Sequence, residues 1–131
     1  MSEMTRLPDR QPTLRMVTMQ ADCSYTGDVF GGWIMAQVDI AGSIPAVHLA
    51  RGRVATVAVN SFHFKQPVFM GDIVSFYAQI DKVGHTSITV NVEVYVQRDP
   101  ACPVCVKVTE AMLTYVAVDE NRKPRAVHVG S

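Results

Sequence analysis

Apolar positions change their period twice along this chain. After a polar start expected to fray, Leu14 to Met19 alternates over a short run, and Gln20 to Asp28 is rich in turn formers, which predicts a first strand and a connector. Phe30, Ile34, Val38, Ala41 and Leu49 then recur at helical spacing, and the stretch from about Gly32 to Ala50 is too long for a strand. It is the one convincing helix. Pro45 is expected to kink or tighten its last turns, and Arg51-Gly52 supplies the stop.

Beyond the helix the period becomes two. Arg53 to Phe64 is apolar on both faces for much of its length, as expected of a central strand covered on each side. Pro67 and Gly71-Asp72 make a turn. In Asp72 to Val83, Val74, Phe76, Ala78 and Ile80 point one way and Ser75, Tyr77, Gln79 and Asp81 the other. In the next run Ile88, Val90, Val92, Val94 and Val96 oppose Ser87, Thr89, Asn91, Glu93, Tyr95 and Gln97. Gly84-His85 joins these two strands as a hairpin, and Asp99 to Pro103 precedes a last strand, Val104 to Val118, before a polar tail. This order describes an α+β domain in which a twisted antiparallel sheet wraps a single helix. The helix is apolar nearly all round. One curved sheet cannot cover it, so a second subunit is expected to complete the burial.

Composition narrows the function. The 131 residues suit one domain able to hold a core without staples, and 12 basic against 12 acidic side chains leave no net charge. That removes the field a dedicated nucleic-acid binder uses to collect phosphates. Only 18% of residues are charged while 48% are hydrophobic, with seven Met, which again suggests oligomerisation. Val29 to Ala50 approaches the length of a bilayer crossing, but Asp39 at its middle, among Gly31, Gly32, Gly42 and Pro45, favours a buried helix in a protein with no membrane span. Three cysteines and a polar N-terminus point to the cytoplasm and free thiols. Cys102-Pro103-Val104-Cys105 has no second Cys/His pair, so a structural or incidental role is expected and no metal site.

Asp39 is the only formally charged side chain between Asp28 and Arg51, with Met35, Ala36, Gly42 and Ser43 beside it on the helix. Such a carboxylate is either a structural group bonded to backbone donors or a basic side chain, or a general base or nucleophile. Gly27 to Trp33 opens the helix, and the paired Gly31 and Gly32 place approachable N–H groups at the positive end of its dipole, either as a turn alone or as a seat for a developing oxyanion. No Gly-Lys-Ser/Thr or Gly-x-Gly-x-x-Gly is present. Thr56, Asn60 and His63 interrupt the following strand, Arg53 and Lys65 flank it, and even spacing puts Thr56 and Asn60 on one face. A lone His such as His63 is more often an edge group than a catalyst.

Gly27-Asp28-Val29-Phe30-Gly31-Gly32-Trp33-Ile34-Met35-Ala36-Gln37-Val38-Asp39, then Gly52 to Val59, then Phe64-Lys65-Gln66-Pro67-Val68 with Gly71-Asp72, resembles the hotdog-fold acyl-CoA thioesterases, in their short bacterial YciA-like type. Thr86-Ser87-Ile88, Glu93-Val94, Tyr115 to Asp119 and Lys123-Pro124-Arg125 continue it, so the resemblance spans about residues 14–125 of a single domain. It implies a long helix wrapped by a five- or six-stranded antiparallel sheet, sheets joined edge to edge in dimers as the minimal active unit, and trimers of dimers as homohexamers. It implies hydrolysis of acyl-CoA to free acid and CoA without a cofactor. Asp39 would act as base or nucleophile, and Gly31 and Gly32 would polarise the carbonyl. Thr56 from the other subunit would position water or Asp39. Ser24 would stand in the catalytic site where many relatives have an Asn, donating one hydrogen bond with shorter reach. The CoA end is expected near Arg53, Asn60, Lys65, Lys82, Gly84, Thr86 and Ser87. Dehydratases of the same fold are disfavoured because no His opens the helix. The alternative is a non-catalytic acyl-CoA-binding or regulatory protein, against which the retained Asp39 argues.

Overall fold

The computed structural model describes residues 4–60, 62–101 and 103–127, so Cys102 of the Cys-Pro-Val-Cys stretch lies outside the described residues. The order is β1 (Leu14–Val17), a 3-10 turn (Gln20–Asp22), α1 (Gly31–Ala50), β2 (Val54–Asn60), β3 (Ile73–Val83), β4 (Ser87–Arg98) and β5 (Val104–Ala117). Every strand pair is antiparallel, and the five strands lie in the order β1-β3-β4-β5-β2. The sheet curls round α1. Ile34, Val38, Ala41, Ala46 and Ala50 on the helix pack against Val74, Phe76, Val90, Val92, Val94, Leu113 and Tyr115 on the strands. Each fully buried Val, Ile, Leu or Phe side chain contributes about 1.5–3 kcal/mol, so this seam fixes how the helix lies on the sheet.

The helix continues through Pro45, whose missing N–H would have met the carbonyl of Ala41, and ends where Arg51 itself takes the left-handed conformation at φ 54°. Gly52 N–H then returns to the carbonyl of Val47. The N-terminal stretch is docked rather than frayed from Thr5, whose N–H bonds to the carbonyl of Cys105. On β3, Ser75 and Tyr77 lie on the more polar side of the alternation, yet both are buried. Arg15 Nε donates to Ser75 Oγ at 2.6 Å, and the guanidinium of Arg10 lies 5.3 Å from the centre of the Tyr77 ring.

The apolar run after the helix corrects its expected place in the sheet. β2 is not a covered central strand. It is an edge, paired with β5 alone, and Val57 and Val59 are 56% and 41% exposed. An apolar edge and a buried strand look alike in sequence because both lack the polar half of the alternation; only the pairing tells them apart. On the helix, Met35, Ile40, Ile44 and Val47 stay 38–49% exposed, as the all-round apolar pattern requires of a single chain. Among the described residues no helix is long and apolar enough to cross a membrane.

Candidate active site

α1, β2 and β5 meet at Asp39. Thr56 Oγ1 on β2 donates to Asp39 Oδ1 at 2.7 Å. Tyr115, the β5 residue paired with Thr56, donates its hydroxyl to the backbone carbonyl of Asp39 at 2.7 Å and lies 3.1 Å from Oδ1. Tyr115 is fully buried and reaches the middle of the helix because residue 42 is glycine: a Cβ there would overlap the hydroxyl and lie 3.2 Å from Cε1 and Cζ. Burial and the Asp39 carboxylate push the phenol of Tyr115 far above its ordinary value, so it is a hydrogen-bond donor throughout the neutral range.

The aim of Thr56 depends on a bulge. Thr56 pairs with Tyr115, but Ala58 pairs with Thr114, so Val57 is the extra residue. Bulges re-aim side chains and are common beside active sites. The consequence corrects the even-spacing argument. Thr56 shares the inward face of Tyr115, whereas Asn60, opposite Met112, lies on the outer face. Thr56 was also expected from a second subunit, but it reaches Asp39 within its own chain, because β2 lies beside the strand that carries Tyr115.

Gly31 and Gly32 open α1. The first helical bond runs from Ile34 N–H to the carbonyl of Phe30, so the amides of both glycines belong to the unpaired first turn and sit at the positive end of the dipole. Gly31 borders a cleft of about 330 Å³ whose wall includes Phe64 and Lys65. Eight residues separate Gly31 from Asp39, which at 1.5 Å per residue is about 12 Å along the helix. One chain therefore cannot bring its helix-start amides and its own Asp39 to one carbonyl.

The other expected residues divide into groups. Lys82, Gly84, Thr86 and Ser87 surround the β3–β4 hairpin, closed by Gly84 N–H to the carbonyl of Ser87. Arg53 joins them at the same end of the sheet, since Val54 pairs with Ala117 and Ser87 with Val116. Lys65 lies apart, beside the Gly31 cleft, its N–H bonded to the carbonyl of Val108. Ser24 is in the connector, where its hydroxyl meets Thr26 Oγ1 at 2.8 Å and, among the described residues, makes no bond to Asp39. His63 is exposed. Sequence reasoning missed the roles of Tyr115 and Arg125. The signal for Tyr115 was a hydroxyl on the inward parity of β5, between Leu113 and Ala117. Arg125 Nη2 caps the carbonyl of Ala50 at 2.8 Å, tying the tail to the end of α1. Among the described residues no cluster of three His, Cys, Asp or Glu side chains is placed to hold a metal ion.

Residues 26–103 match the family model of the thioesterase superfamily. The chain belongs to this superfamily. Its fold is the hotdog fold: a hexameric hotdog-fold thioesterase of Campylobacter jejuni superposes with a TM-score of 0.86 at 44% identity, over 91% of each chain. The acyl-CoA thioester hydrolase YciA of Salmonella typhimurium is 45% identical over 98% of both chains. An acyl-CoA hydrolase of Staphylococcus aureus has been solved with butyryl-CoA and CoA, with a TM-score of 0.80 at 28% identity over 87% of this chain and 69% of that one. It has also been solved as two alanine mutants, one of an aspartate and one of a threonine 17 positions later.

Proposed function

We propose that this thioesterase hydrolyses acyl-CoA to the free carboxylic acid and CoA, with Asp39 as the reacting carboxylate. The observation that carries the assignment is the Asp39–Thr56 hydrogen bond on an otherwise apolar helix face. The two residues are 17 positions apart, the separation of the aspartate and threonine replaced in the Staphylococcus aureus enzyme. Asp39 takes a proton from water as the water oxygen attacks the thioester carbonyl, or attacks that carbonyl itself. When water attacks, the C–S bond then breaks and the CoA thiolate leaves with the proton that Asp39 took. When Asp39 attacks, the thiolate leaves an acyl–Asp39 anhydride, which water hydrolyses to the free acid and the regenerated carboxylate, its proton going to the thiolate. Amides at Gly31 and Gly32 stabilise the developing oxyanion. Because those amides lie about 12 Å from Asp39 of the same chain, the working unit is a dimer in which one protomer offers the amides and its partner the carboxylate. The open apolar edge of β2 is the natural seam between two sheets. Trimers of such dimers give the hexamer named for the Campylobacter relative.

The polyanionic end of CoA fits the sheet end where Arg53, Lys82, Gly84, Thr86 and Ser87 gather, with Lys65 beside the helix start and Asn60 at the periphery. No organic cofactor or metal is needed, because a thioester carbonyl is already activated. Cys23 and Cys105 are free thiols, which suits the cytoplasm. The test follows thiol release from acyl-CoAs of graded chain length. Asp39→Ala should lose about 100-fold or more in kcat. Full activity of Asp39→Ala, or wild-type rates no faster than uncatalysed hydrolysis at every chain length, overturns the assignment. In single turnover in 18O-labelled water, label found in Asp39 identifies the anhydride route, since water then attacks the anhydride at the Asp39 carbonyl, whereas direct attack by water on the thioester leaves none in the protein.

A further inference from the structure

Asp39 Oδ1 receives two hydroxyls, Thr56 Oγ1 at 2.7 Å and the Tyr115 hydroxyl at 3.1 Å, while among the described residues no side chain donates to Oδ2. The two donors come from paired positions on neighbouring strands, so the β2–β5 ladder fixes their separation. Tyr115 is also tied to the main chain of the same residue at 2.7 Å, which fixes the backbone and one carboxylate oxygen of Asp39 together. The helix accommodates this at a cost. It carries Gly42, Ser43 and Pro45 within one turn, all poorer helix formers than alanine, and at residue 42 only glycine leaves room for the hydroxyl. A tyrosine serving only to fill the core would need no such gap.

We infer that Tyr115 is a positioning residue for hydrolysis: with Thr56 it holds Asp39 Oδ1, so that Oδ2 is the oxygen presented to water or to the thioester carbonyl. The inference rests on the assignment of Asp39 above. Its phenol stays protonated and transfers no proton. It sets the rotamer of the carboxylate, its hydroxyl bonding to Asp39 and, among the described residues, to no other group. Loss of the hydroxyl therefore lowers the rate of the bound complex and leaves substrate affinity alone.

Tyr115→Phe retains the ring and removes one hydrogen bond to a charged group, which predicts a fall of about 10- to 100-fold in kcat. KM should stay within about twofold of wild type. Leu113→Val, on the same face of β5, is the control for mere loosening of the core and should keep wild-type kcat. Tyr115→Phe and Thr56→Val should be non-additive in kcat, because either leaves Oδ1 half held. A folded, assembled Tyr115→Phe enzyme with wild-type kcat overturns the inference, as does a fall confined to KM. If Tyr115→Phe does not fold, tyrosines labelled with 13C at Cζ decide the matter in the parent protein. One of the four phenol resonances should move on Asp39→Ala, and four unmoved resonances overturn the inference. Full activity of Asp39→Ala would instead overturn the assignment of Asp39, so the two failures are distinct.

Discussion

Gly42→Ala reverses the usual rule for helices. Replacing glycine by alanine inside a helix ordinarily gains about 0.8–1.0 kcal/mol. At residue 42 the new Cβ would overlap the Tyr115 hydroxyl and lie 3.2 Å from two ring carbons, in a buried position with strands behind it. Overpacking of this kind costs about 1–3 kcal/mol. Displacing the hydroxyl from the Asp39 carbonyl costs about 0.5–1.5 kcal/mol more. The balance is a destabilisation of about 0.5–4 kcal/mol, which lowers the melting temperature by about 2–14 °C for a domain of this size. Thermal unfolding at one fixed protomer concentration measures it, since the melting point of an oligomer depends on concentration. Gly32→Ala is the comparison, because nothing lies within 4 Å of a Cβ at that position. A Gly42→Ala protein as stable as the parent, or more so, would show that Tyr115 does not press against the helix as described.

Three further outcomes follow from other parts of the molecule. Arg53→Ala should raise KM for acyl-CoA by about tenfold, in line with the loss of one charged hydrogen bond, and leave KM unchanged for a short thioester without phosphates; equal effects on both substrates would remove Arg53 from the CoA site. Val57→Lys places a charge on the open edge of β2, where Val57 is 56% exposed, and should be nearly neutral for one chain yet split the assembly in sedimentation; an intact oligomer would exclude that edge as the seam. Bonds from Lys107 at 2.6 Å and Asn91 at 2.7 Å hold the Glu110 carboxyl below its usual value, so its contribution is present above the ordinary glutamate range and is lost as pH falls through the lowered value. With the side chain 44% exposed, Glu110→Gln should cost under about 1 kcal/mol at neutral pH, and the deficit should shrink in denaturant titrations at acid pH; a deficit constant with pH would contradict it.

Most of the architecture was legible because the hydrophobic period is a local property. The helix boundary at Ala50, the inward set Ile88 to Val96 and the β3–β4 hairpin all follow from spacing and turn chemistry. What spacing could not convey was pairing. Arg53 to Phe64 looked central because it was apolar on both faces, and the same pattern arises at an edge. Thr56 and Asn60 looked coplanar because they are four apart, and one bulged residue, Val57, separates them. Asp39 stood out as the sole charge in its stretch. Its partners came from strands 17 and 76 positions away, a distance across which parity alone names no contact.

The bulge gives β2 two duties at adjacent positions. Thr56 turns inward to the carboxylate, and Val57, the extra residue, stays exposed at the edge. The same strand that holds the Asp39 carboxylate in place is thus the strand a second sheet would cover. The helix imposes the complementary condition: its N-terminal amides and its Asp39 are too far apart to serve one carbonyl in one chain. On the proposed mechanism, an isolated protomer would hold the Asp39 carboxylate ready but lack an oxyanion seat beside it. Pairing through β2 would supply that seat and cover the exposed valines in one step, so burial of the apolar edge and completion of the proposed site would be the same event.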